Sequence, residues 1–152
     1  MLEQLAYAAQ IVGVGLVVAS LVYVGRQVQQ NTETMRQNAA GYYLGLQERL
    51  CGEVAGSREF AQQWLKAATD FDSLDDVDKQ RVMLFEWRAF TGWNQLFQLR
   101  RNGLVPDSQW HELLWSMKNF GSRKSAGQAW SVFKGAFEEQ FQDFVSGHIM
   151  WR

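Results

Sequence analysis

The chain has 152 residues, enough for one domain and too few for two of full size. Its 15 Lys and Arg balance 16 Asp and Glu, so no field of one sign points to nucleic acid as a partner. A single cysteine, Cys51, rules out an internal disulfide and fits a reducing compartment.

Residues 5–25 (LAYAAQIVGVGLVVASLVYVG) carry no charge. At 1.5 Å per residue they make a helix of about 31 Å, which matches the roughly 30 Å hydrocarbon core of a bilayer. Tyr7 and Tyr23 lie near the two ends, where interfacial aromatics sit. A cleaved signal peptide would need a basic leading segment, and the residues before this stretch hold Glu3 and no Lys or Arg. The reading is one transmembrane helix, 1–25, with the lipid bilayer as its first partner. Arg26 and Arg36 follow the span and no cation precedes it. The positive-inside bias therefore puts the C-terminal domain in the cytoplasm, beneath an inner membrane. Within the span, Gly15 and Ala19 are small residues four apart, a spacing that lets two helices approach closely. They are the candidate helix–helix contact with another membrane protein or a second copy.

Residues 26–56 read as a stalk and the first bundle helix, and 57–152 as the rest of a helical bundle. Residues 26–40 are good to neutral helix formers without proline, rich in Gln and Asn. From Tyr43 the pattern turns amphipathic, with Leu46, Leu50 and Val54 at helical spacing. Gly56 closes that helix and Ser57 is a natural N-cap for a short one over 58–68. After the loop TDFDSLDD, Asp75 or Asp76 caps a helix drawn over 76–102. Its acidic start and Arg100–Arg101 end complement the helix dipole, and Gly103 supplies the stop. Pro106 and Asp107 open a fourth helix that ends at Gly121. The last segment reads as one helix or two around Gly135. No stretch of 26–152 alternates with period two, so the fold class is all-α, with no sheet.

The run Val24-Gly25-Arg26-Gln27-Val28-Gln29-Gln30-Asn31-Thr32, followed by Arg36, resembles a widespread bacterial family of small uncharacterised proteins. In that family an N-terminal membrane helix ends in a Q-x-x-Q-N-T-x-x-x-R-like stretch and leads into a tryptophan-rich helical domain. Gln29 stands where the family often has a basic residue. The resemblance implies architecture and no activity.

Chemistry is sparse. His111 with Glu112 lacks the second histidine of a zinc-protease helix, and His148 is isolated from it in sequence. Asp70, Asp72, Asp75, Asp76 and Asp78 lack the glycine and glutamate of a calcium loop and suit helix capping. Cys51 has no identifiable base, and Gly121–Lys124 (GSRK) is too short to cradle a phosphate. Glu86 and Arg88 are charges on the apolar third bundle helix. Buried, they would need partners; the expectation is a solvated strip with Arg81 and Gln95. Hence no catalytic, cofactor or metal residues are assigned. Seven Trp and ten Phe either fill the core or form a surface that docks on a membrane protein or on lipid headgroups. The functional expectation is a membrane-anchored, non-enzymatic interaction protein, an accessory or scaffold subunit or a homo-oligomer. The alternative is a tethered sensor whose helices enclose an apolar ligand.

Overall fold

In the computed structural model, backbone structure is described for residues 1–149, and side chains likewise except at positions 2, 3, 5, 6, 8, 9 and 11. The last three residues assigned to the bundle, and those span positions, lie outside the described set. Six helices follow in order: α1 (Leu2–Gly56), α2 (Arg58–Thr69), α3 (Asp76–Arg101), α4 (Asp107–Gly121), α5 (Lys124–Phe133) and α6 (Glu139–His148). Three-residue 3₁₀ turns precede α3 and separate α5 from α6. There is no strand among the described residues.

The chain divides into two units, Met1–Asn38 and Ala39–Arg152. In the first, the helix is long and apolar enough to cross a membrane, and none of its most apolar window is buried. Val14, Leu16, Val17, Val18, Leu21, Val22 and Val24 are all exposed. Ser20 donates its hydroxyl to the Leu16 carbonyl at 2.8 Å, so this hydroxyl is satisfied within its own helix. The core helix of a soluble protein would be mostly buried.

In the second unit, Ala39, Leu46 and Leu50 turn the C-terminal part of α1 toward the core. Ser57 caps α2 by accepting from the Phe60 N–H at 3.1 Å, and Asp75 caps α3 by accepting from the Asp78 N–H at 2.8 Å. Helix α3 is central: Val82, Phe85, Ala89, Phe90, Trp93 and Leu96 are buried along it. At Gly92, an added Cβ would come within 2.5 Å of Leu46 Cδ2, so α1 and α3 meet over a residue with no side chain. Gly103, at φ +71°, ends α3. The Leu104 N–H bonds to the Leu99 carbonyl and the Gly103 N–H to that of Arg100, both at 3.0 Å. This pair of bonds is a Schellman close, which a side chain at Gly103 would strain.

The final segment is two helices, broken at the turn that contains Gly135. The aromatic residues prove to be core material. Among the described Phe and Trp side chains, only Trp115 is at the surface. Phe97 stacks on Phe144 with ring centroids 4.8 Å apart, Trp87 lies 4.7 Å from Phe133, and Trp130 stacks on Phe137 at 5.6 Å. Such pairs contribute roughly 0.5–1.5 kcal/mol each beyond their area.

Candidate functional site

One charged group lies on the core face of α3. Glu86 shares that face with Val82, Ala89 and Phe90, at spacings of three and four residues, and is fully buried with them. This corrects the expected solvated strip. Arg81, Arg88 and Gln95 are exposed as expected, but Glu86 sits two residues from Arg88, about 200° around the helix.

Its partner comes from the junction between α4 and α5. Arg123, the residue before α5, brings Nη2 to 2.8 Å from each Glu86 carboxylate oxygen. The Ser125 hydroxyl donates to Oε1 at 2.8 Å. The Arg123 Nε–H reaches the Phe120 carbonyl at 3.1 Å, and the guanidinium carbon lies 4.0 Å from the ring centroids of both Trp64 and Phe120. The cluster thus joins α2, α3, α4 and α5. Burial raises the Glu86 carboxyl above its ordinary value, against the opposing pull of Arg123 and the Ser125 hydrogen bond. Burial also lowers Arg123 to about 10, with Glu86 opposing the shift.

The carboxylate end of the cluster is closed, whereas Arg123 keeps 10% of its side chain exposed and lines an open depression of about 370 Å³ with Gly121, Ser122, Lys124 and Gly127. Glu86 and Ser125 expose nothing to solvent, so neither carboxylate nor hydroxyl can meet a substrate. What the arrangement does is hold four helices to one ion pair.

The other sequence candidates are dispersed. His111 is exposed, with Nδ1 2.8 Å from the Asp107 carbonyl oxygen of its own helix. His148 is exposed and stacks on Phe144 at 5.2 Å. Glu112 accepts a hydrogen bond from the Tyr43 hydroxyl at 3.3 Å. Of the aspartates, Asp75 caps α3, Asp70 ends α2, and Asp78 accepts from Gln63 at 2.6 Å. Among the described residues no three potential metal ligands converge. Cys51 is exposed and lines a cleft of about 40 Å³ with Tyr43, Leu46, Trp93, Met117 and Phe120. In the GSRK stretch, Gly121 abuts Ile149 so closely that a Cβ there would collide with it. In the first unit, Gly15 has open space around it and Ala19 is exposed.

Comparison with known proteins adds no assignment: no protein family matches the chain, and no curated protein or solved structure matches it either.

Proposed function

We propose that this chain is a membrane-anchored, non-enzymatic interaction protein, with its helical domain in the cytoplasm beneath the inner membrane. The observation that carries the reading is the exposed apolar helix. From Val12 to Val24 its large side chains stand more than half exposed, and only lipid or a second helix in lipid would cover them without penalty. Arg26 and Arg36 after the span favour the cytoplasmic side, although Arg36 lies 3.9 Å from Glu33, which offsets part of its charge. The domain contributes a self-contained core rather than chemistry. The cleft beside Cys51 is only about 40 Å³, while an open depression of about 370 Å³ lies at the start of α5, lined by Gly121, Ser122, Arg123 and Lys124, so cavity size does not weigh against a bound ligand. The resemblance of the Gln27–Thr32 stretch to a family of membrane-helix proteins supports the anchor.

A C-terminal fusion to a reporter active only outside the cytoplasm should be silent, and a fusion to a cytoplasmic reporter active. The reverse pattern would overturn the orientation. Purification from native membranes should bring down a stoichiometric protein partner or a second, tagged copy, whereas a lone monomer would remove the interaction role.

A further inference from the structure

The charge balance of the whole chain conceals a basic stretch. Residues 113–137 hold Lys118, Arg123, Lys124 and Lys134 and no carboxylate. Where α4 gives way to α5, this stretch lines the open depression of about 370 Å³, with Gly121, Ser122, Arg123, Lys124, Gly127 and Gln128 in its walls. That volume lies within the roughly 300–1,000 Å³ of small-molecule sites. Lys124 is exposed and forms no ion pair among the described residues.

The junction has donors to spare and its acceptors are taken. At the end of α4 the Ser122 N–H donates to the Lys118 carbonyl at 3.1 Å, and the Ser122 hydroxyl to that of Asn119 at 2.9 Å. The Arg123 Nε–H occupies the Phe120 carbonyl at 3.1 Å. At the start of α5 no side chain caps the helix, so the positive end of its dipole is left unanswered. Arg123 adds a second, independent sign. Its side chain is only 10% exposed and its Nη2 is held by Glu86, yet its Nη1 is buried without any hydrogen-bond partner. An unpaired buried donor on a charged group is strongly unfavourable and calls for an acceptor.

We propose that this depression binds a phosphate group, carried by a soluble phosphomonoester or by a lipid headgroup, with Arg123 and Lys124 as its cations and Gln128 as a neutral donor. The phosphate oxygens supply the acceptors that the junction lacks, one of them to Arg123 Nη1, and their charge meets the positive end of α5. A P-loop wraps its phosphates in a long glycine-rich turn, for which GSRK is too short; a phosphate at a helix N-terminus needs only the helix end and a flanking cation. Glycine keeps the depression open, since nothing lies within 4 Å of a Cβ added at Gly127. The site lies wholly in the second unit, so it does not depend on the membrane anchor.

The test is a titration of the full-length protein in a neutral detergent with inorganic phosphate, against chloride at equal ionic strength, read as backbone amide shifts by NMR. Phosphate should give saturable shifts centred on Ser122 to Gln128, and chloride should not. Lys124→Glu should weaken the phosphate effect about tenfold. An acidic residue suits the first turn of α5, so the urea midpoint should hold or rise and the loss is not one of folding. Gly127→Leu, which fills the depression and favours the helix, should abolish the shifts, while Lys134→Glu should leave them unchanged. A parallel measurement in nanodiscs of phosphatidylcholine, with and without phosphatidic acid, distinguishes the sources. The same shifts with phosphatidic acid assign the site to a headgroup; shifts with inorganic phosphate alone assign it to a soluble phosphomonoester. Equal responses to phosphate and chloride would overturn the proposal, as would phosphate binding that survives both Lys124→Glu and Gly127→Leu.

Discussion

Removing the Arg123 side chain as Arg123→Ala takes away the cation paired with Glu86 while the carboxyl stays fully buried on α3. Breaking a buried pair from one side costs about 3–5 kcal/mol, because an uncompensated charge is left or a proton must be taken up. The same change also removes the guanidinium from between Trp64 and Phe120, 4.0 Å from each ring. Against a typical domain stability of about 5–15 kcal/mol, the loss is a large share. The complementary change, Glu86→Gln, keeps a hydrogen-bond acceptor opposite Arg123 and Ser125 and should cost less. Urea unfolding of the full-length protein in detergent, followed by tryptophan fluorescence, compares both variants and the double substitution Glu86→Gln with Arg123→Met. The double variant should be more stable than the sum of the two single losses by about 1–3 kcal/mol, since each single change strands the partner of the other. A cost for Arg123→Ala within about 0.5 kcal/mol, the range of ordinary surface sites, would refute the role assigned to this pair, as would strict additivity.

Trp93→Ala should destabilise the domain by about 3–5 kcal/mol, since the ring is 5% exposed and packs edge-on against Phe90 and Phe120; a surface-sized effect in the same unfolding assay would mean the core is built otherwise. The Glu86 carboxyl is raised by burial, so its contribution to stability is fully present below about pH 4.5 and is lost as pH rises through its folded value. Wild type should therefore lose stability relative to Glu86→Gln as the pH is raised from 4 toward neutrality, read as the difference in urea midpoints. A difference that does not change with pH, or that moves the opposite way, would contradict burial as the dominant influence on Glu86.

The helical architecture was legible because its ends are written locally. Ser57, Asp75, Pro106 and Gly103 each sit within one turn of the boundary they set, and the structure uses three of them in hydrogen-bonded caps or a left-handed turn. Glu86 was misplaced by grouping it with Arg88, its neighbour in sequence. Helical phase alone separates the two: Arg81, Arg88 and Gln95 recur every seven residues, while Glu86 repeats with Val82, Ala89, Phe90 and Trp93 on the core face. Its partner, Arg123, is 37 residues away and comes from a loop whose course no periodicity reveals. Aromatic number alone could not separate core from docking surface. That distinction depends on how α5 and α6 fold back on α3, where Trp130 and Phe141 meet Phe90 and Phe97.

The membrane anchor is tested most directly by alkaline carbonate extraction of membranes from cells that make the full-length protein. The exposed apolar helix predicts that the protein stays in the pellet, and that Val17→Arg combined with Leu21→Arg moves a substantial fraction of it to the supernatant, since each central arginine costs about 2.5–3.5 kcal/mol of insertion. Quantitative release of the unaltered protein by carbonate would contradict a transmembrane helix.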